Sequence, residues 1–231
     1  MTDINRHKFL LLQILKDIYN NVAISSMLGF KGGTALMLFY DLPRFSVDLD
    51  FNLLEKEKEQ LVFEEINKIL RQYGIIADEA IKFYGSIVVL DYGKGQRKLK
   101  VEVSNRQMDE KYEIKNYLGI QIKTMVAPDM FAHKLCALLD RSALTNRDIF
   151  DIWFFLQRHT PINNTIVENR MKMPLDTYLQ KCIDTLVKKS DKGILNGLGE
   201  LLEPDMKNFV RTKLREETIQ LLRFYKELNK S

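Results

Sequence analysis

The segment Lys31-Gly32-Gly33-Thr34-Ala35-Leu36 is followed, after an Asp41-Leu42-Pro43 turn, by Arg44-Phe45-Ser46-Val47-Asp48-Leu49-Asp50-Phe51, and it constrains this chain more than any other stretch. Paired glycines opening a helix let backbone N–H groups approach a phosphate closely, and the positive end of the helix favours the anion. Lys31, Gly32, Gly33 and Thr34 therefore form a candidate phosphate cradle. In the second half apolar residues alternate with Asp48 and Asp50, and on a strand residues two apart share one face, about 7 Å apart. Two carboxylates side by side repel each other unless they share a cation, and a divalent metal is the natural one. Taken singly, Gly-Gly-Thr is also an ordinary turn into a helix, and Asp-x-Asp an ordinary solvated loop. Their conjunction is what points to a site.

Around this segment the 231 residues suffice for one sizeable core or two small domains. Leu11, Ile14, Leu15 and Ile18 recur at helical spacing, so an amphipathic helix is expected over 7–20, and another over 55–70, ending near Gly74. From Ile75 the period becomes two: Ser86–Leu90 and Lys98–Val103 flank a Gly93-Lys94-Gly95 turn and read as an antiparallel hairpin, with a further short strand over 119–123. The remainder is expected to be helical, over 130–141, 147–158, 164–171, 175–188 and 204–228, with 191–202 a loop. The expected organisation is an α+β portion over 1–125 and a helical portion over 126–231, packed together because no flexible linker separates them. No apolar run is long enough to span a bilayer or form a signal-peptide core, so a cytoplasmic protein is expected. Cys136 and Cys182 are too few and too far apart for a metal knuckle and read as core thiols. A net charge of +4 mildly favours a polyanionic partner.

Several further residues carry two readings each. Glu102 falls on the polar face of its strand, as a partner for Lys98 or Lys100, or as a third acid beside Asp48 and Asp50. Lys134 and Arg141 project from the apolar side of their helix, and Asp148 and Asp151 lie in a helix that is apolar nearly all round. Charges so placed need partners. Either the four neutralise one another across two packed helices, or Lys134 reaches a phosphate. Arg44 and Ser46 precede Asp48 on the presumed strand, where Ser46 would share its face. Tyr84, Tyr92, Tyr112 and Tyr117 could each stack on a base or simply be half-buried sheet residues. The last helix carries Lys207, Arg211, Lys213, Arg215, Arg223, Lys226 and Lys230, either a guide for a nucleic acid or a solvated surface.

Gly-Gly, helix, turn and Asp-x-Asp in an apolar strand together resemble the signature of the DNA polymerase beta-type nucleotidyltransferase superfamily. The segment KGGTAL followed by R-x-S-x-D-x-D is more closely similar to the AbiEii/AbiGii toxin nucleotidyltransferases, and so is a lysine-bearing helix followed by Arg147-Asp148-Ile149-Phe150-Asp151. This resemblance spans roughly residues 30–155. It implies a nucleotidyltransferase-fold mixed sheet with helices, followed by a helical portion, and an enzyme that moves a nucleoside monophosphate from an NTP to a hydroxyl. Asp48, Asp50 and Glu102 would hold two Mg²⁺ ions, Lys31 to Thr34 with Arg44 and Ser46 the nucleotide, and Lys134 would neutralise charge. Arg141, Asp148 and Asp151 would support them. It further implies a toxin acting on an RNA acceptor such as the tRNA 3′ end, with a separate antitoxin. A catalytically silent nucleotide- or partner-binding module and a nucleotidyltransferase of small-molecule antibiotics are the competing classes.

Overall fold

Leu11, Ile14, Leu15 and Ile18 form one fully buried stripe of α1 (Ile4–Asn20), the face that the sequence assigns to packing. The structure is a computed structural model and describes residues 4–141 and 143–228. Its contacts divide into two units. The first comprises the chain up to Asp41, Ser46–Gln107 and Lys111–Met125.

In this unit the strands β1 (Leu28–Lys31), β2 (Leu49–Leu53), β3 (Ile75–Lys82), β4 (Gly85–Asp91), β5 (Leu99–Ser104), β6 (Tyr112–Tyr117) and β7 (Ile120–Met125) form one mixed sheet, ordered β3-β4-β5-β2-β1-β7-β6. Helices α2 (Gly32–Phe39) and α3 (Glu59–Leu70) link consecutive strands. β2 runs antiparallel to β1 and parallel to β5, and β4 and β5 form the expected antiparallel hairpin. Period-two alternation holds in β5, where Leu99, Val101 and Val103 are buried while Glu102 is exposed. Phe30 of β1 and Phe51 of β2 meet in the core with ring centroids 5.3 Å apart. One strand exceeds what the pattern suggests, and another is absent from it. β3 is eight residues long and largely exposed, and β6 is mostly polar, so neither carries the buried alternation by which a strand is recognised from sequence.

The second unit comprises Leu42–Phe45, Met108–Glu110 and the chain from Val126. It holds α4 (Ala127–Asp140), α5 (Asn146–Gln157), α6 (Asn164–Met171), α7 (Leu175–Lys188), α8 (Pro204–Thr212) and α9 (Leu214–Leu228). The Thr145 side chain caps α5 by accepting a hydrogen bond from the Asp148 N–H. Phe131 stacks on Phe155 at 4.9 Å, packing α4 against α5. The single final helix expected over 204–228 is instead two. The backbone leaves the helical region at Lys213, and Val210 before the break and Leu214 after it are both buried. Arg215 makes a two-pronged pair with Asp191 and Lys226 donates to the Gln180 side chain, so part of the basic surface of this region is already engaged. Lys230 lies outside the described residues. Cys136 and Cys182 are buried thiols, and burial pushes both above the usual thiol range. Among the described residues no helix is long and apolar enough to cross a membrane.

Candidate active site

Strand pairing builds the site. Lys31 of β1 lies opposite Asp50 of β2, and Asp50 lies opposite Glu102 of β5, so the three form one row across the sheet. Laterally paired residues project from the same face, and adjacent strands are about 4.8 Å apart. Lys100, two residues before Glu102, shares that face, and its ammonium is 2.8 Å from the Glu102 carboxylate. Glu102 therefore has both the lysine partner and the neighbouring acid that its sequence position suggested. The lysine comes from its own strand.

Burial raises the Asp50 carboxyl above the ordinary aspartate range, Asp48 and Glu102 push it further by repulsion, and Lys100 and Lys31 oppose the rise. Glu102 moves the other way: burial acts to raise it but is outweighed by the hydrogen bond and charge of Lys100, with Lys31 and Arg106 adding. The folded chain thus holds Asp50 beside like charges at a cost, offset in part by Lys100 and Lys31.

Gly32 starts α2 at φ +80°, and a Cβ on it would lie 2.3 Å from Asp50 Oδ2. Only a residue without a side chain lets this backbone meet the carboxylate. Lys31, the residue before the helix, supplies no side-chain cap, so the first N–H groups of α2 are left to another acceptor. Gly33 and Thr34 follow in the first turn. Thr34 is completely buried, and its hydroxyl donates to the Asp48 carbonyl at 2.5 Å. What its side chain contributes is the position of α2 against the acids. On the other side, buried His7 hydrogen-bonds the Val47 carbonyl through Nε2 (2.8 Å) and the Tyr92 hydroxyl through Nδ1 (2.7 Å). Burial holds the His7 imidazole below its usual pKa. The backbone around Asp48 is thus clamped by one threonine and one histidine. Nothing in the local sequence marks His7, since its partners are 40 and 85 residues away.

Arg44, Ser46 and Asp48 are not strand residues as expected, because β2 begins only at Leu49 and side-chain bonds replace a ladder before it. Ser46 is buried in the first unit. Arg44 belongs to the helical unit, where its Nε and Nη2 donate to Asp151 at 2.7 and 2.8 Å. Lys134 Nζ is 2.8 Å from Asp151 and 3.5 Å from Asp148, and Arg141 is 3.3 Å from Asp148. The mutual neutralisation of Lys134, Arg141, Asp148 and Asp151 is therefore present, with Arg44 as an additional cation. Burial would raise the Asp151 carboxyl, yet the charges and hydrogen bonds of Arg44 and Lys134 hold it down at about 2. His133, also in this unit, bonds the Glu110 carboxylate at 3.1 Å.

Asp48, Asp50 and Glu102 offer only hard oxygen donors, the set that suits Mg²⁺. Among the described residues no group of three or more histidine, cysteine, aspartate or glutamate side chains stands close enough together to hold a metal ion. Like charges spread when no cation lies between them, and here the Lys100 ammonium serves Glu102. The mutual repulsion at Asp50 and the open backbone at Gly32 fit a divalent ion with its phosphate ligand. Gly32→Ala should therefore abolish NTP-dependent thermal stabilisation and cost about 1–3 kcal/mol of folding stability, through a strained φ and displacement of Asp50. Denaturant melts with and without NTP would check both effects.

Comparison with known proteins agrees with this architecture. A family described as "Nucleotidyl transferase AbiEii toxin, Type IV TA system" matches residues 13–223. Among solved structures, a candidate nucleotidyltransferase from Helicobacter pylori superposes with a TM-score of 0.64 at 21% identity, covering 100% of this chain and 98% of that one. JHP933, also from H. pylori, gives 0.57 at 20% identity over 100% and 97% of the two chains. The nucleotidyltransferase toxin MenT4 of Mycobacterium tuberculosis gives 0.57 at 17% identity over 93% and 82%. Comparison with curated protein sequences yields no match.

Proposed function

This chain belongs to the AbiEii family of nucleotidyltransferase toxins of type IV toxin-antitoxin systems, and from that premise we propose that it transfers a nucleoside monophosphate from an NTP to a hydroxyl at the end of an RNA, such as a tRNA 3′ end, with Mg²⁺ at Asp48, Asp50 and Glu102. The observation that carries this reading is the row Lys31-Asp50-Glu102 with the backbone of Gly32 set against the Asp50 carboxylate. It supports the reading because the start of α2 lies beside Asp50, whose neighbour across the sheet is Glu102.

Lys31 and the first N–H groups of α2 bind the β and γ phosphates, and Gly32 and Gly33 let the backbone approach them. Thr34 fixes α2 relative to the acids through the Asp48 carbonyl. When bound, Mg²⁺ supplies charge neutralisation at the attacking and leaving oxygens. The acceptor oxygen bonds to the α-phosphorus, the bond to the α–β bridging oxygen breaks, pyrophosphate leaves and the hydroxyl proton passes to solvent. Such transfers depend mainly on positioning and charge, which these side chains supply. The proposed setting is the cytoplasm, with a separately encoded antitoxin as partner. For Arg44, Arg141, Asp148 and Asp151 we propose a structural role, as the ionic core of the helical unit. Incubation with total RNA, each labelled NTP in turn and Mg²⁺ tests the proposal: label should enter RNA from one or a few NTPs, and its absence with every NTP would remove the RNA acceptor.

A further inference from the structure

Of the four tyrosines that the sequence offers as base-stacking candidates, three are occupied in the sheet unit. Tyr92 is buried against His7, the Tyr112 hydroxyl oxygen accepts from the Asn52 side-chain amide at 2.8 Å, and Tyr117 packs edge-on against Phe39. Tyr84 is different. It is 57% exposed in the turn between β3 and β4, beside Phe83, which is 86% exposed. The two rings are held edge to face at 4.7 Å, and the Arg106 guanidinium lies over the Tyr84 ring, also at 4.7 Å.

This turn is built as a fixed element. Asn105 donates its backbone N–H to the Tyr84 carbonyl, and its side chain donates to the Phe83 carbonyl and the Glu59 carboxylate. Gly85, at φ +130°, lets the turn sit so close to β5 that a Cβ would lie 2.0 Å from the Val103 carbonyl oxygen. Two large aromatic rings carried in water by this turn, with a cation stacked on one of them, leave a surface without a covering element of their own unit. Lys82, exposed at the end of β3, adds a second positive charge. Aromatic faces interleaved with cations suit single-stranded nucleic acid, where bases stack and phosphates are neutralised.

Position selects the acceptor strand over the NTP. Gly32 and the start of α2 follow β1, whereas the turn lies beyond β5, on the opposite side of the Asp50–Glu102 pair across the sheet. It is also opposite along the strands. Because β1 is antiparallel to β2, α2 starts near the beginning of β2, while Gly85 pairs with Ser104 at the end of β5. In-line displacement places attacking and leaving oxygens on opposite sides of phosphorus. With pyrophosphate at α2, an acceptor that enters from the side of the turn approaches the phosphorus opposite the leaving group.

We propose that Phe83, Tyr84 and Arg106 form a stacking platform for the unpaired terminal bases of the RNA acceptor, which holds its terminal hydroxyl toward Glu102. This rests on the nucleotidyltransferase reading above. The test uses a short single-stranded oligoadenylate RNA whose 3′-terminal base is 2-aminopurine, which loses fluorescence on stacking. Wild-type protein should bind the probe and quench it. Phe83→Ala/Tyr84→Ala should weaken binding about 5- to 150-fold and remove the quenching, the range that stacking of a base contributes, while Tyr84→Trp retains both. Because these side chains are exposed, circular dichroism melts of the variants should match wild type. Stabilisation by Mg²⁺ and NTP should also be the same in the double variant as in wild type. Unchanged RNA affinity and quenching in the double variant would overturn the platform, as would an absence of probe binding by wild type. A fall in NTP stabilisation with RNA affinity unchanged would overturn it in favour of the incoming nucleotide's base. If wild type gained no stability from any NTP, the nucleotidyltransferase reading would itself fail, an outcome separate from all of these.

Discussion

Asp50→Asn should lower nucleotide transfer by about a thousandfold and, at neutral pH without divalent ions, raise the melting temperature. The first effect follows from removing a charge worth several kcal/mol in the transition state, at 1.36 kcal/mol per tenfold. The second follows from the direction of its pKa. Burial and the neighbouring carboxylates of Asp48 and Glu102 raise Asp50 in the folded protein, against the pull of Lys100 and Lys31. A raised carboxyl means that the folded state binds its proton more tightly than the unfolded state does. Stability is therefore lost as pH rises from the ordinary aspartate value through the raised one, and the loss persists at neutral pH. The neutral amide escapes it. Adding Mg²⁺ should stabilise wild type and close the gap, since binding to the folded state alone adds stability by mass action. A variant with full transfer activity, or one less stable than wild type without metal, would show that Asp50 is a structural residue of β2.

Asp151→Ala should be the most damaging single change to stability, at about 3–5 kcal/mol, because it strands Arg44, which is almost wholly buried, and deprives Lys134 of its nearer partner. For a chain of this size that corresponds to a fall in melting temperature of roughly 10 °C. The same pair sets an acid limb. The Asp151 carboxyl is held at about 2 in the folded state, below its ordinary value, so its contribution is present above pH 4 or so, and lost as pH falls toward about 2. Asp151→Asn should lack that limb. Lys134→Met leaves Asp151 still paired with Arg44 and should be milder than Asp151→Ala. The variant therefore separates two roles. Loss of transfer in a protein that still melts within a few degrees of wild type would assign Lys134 the transition-state cation expected from its sequence position. Retained transfer would leave Lys134 to the ionic core alone.

The features legible in the sequence were those carried by neighbours along the chain. The glycine pair at the start of α2 and the alternation of β5 each depend on a few consecutive residues, and each stands in the structure where its pattern put it. The polar strand β6 was not legible at all and the exposed strand β3 only at its start, because strand pairing there supplies what local pattern does not. The break at Lys213 was hidden for a related reason. The apolar spacing is the same whether one helix carries it or two.

By itself the sequence determined which chemistry this protein could hold. Acids two apart in an apolar run must share a face if they are extended, and a glycine pair must open whatever helix follows it. Tertiary structure alone decided which residues meet. Register set Glu102 beside Asp50, across 52 positions of chain, and gave Glu102 a lysine of its own strand. It also sent Arg44, four residues before Asp48, to Asp151. The reason is that a strand row and a buried ion pair are fixed by the packing of elements distant in sequence, and no local spacing encodes which of several acids a buried guanidinium will reach.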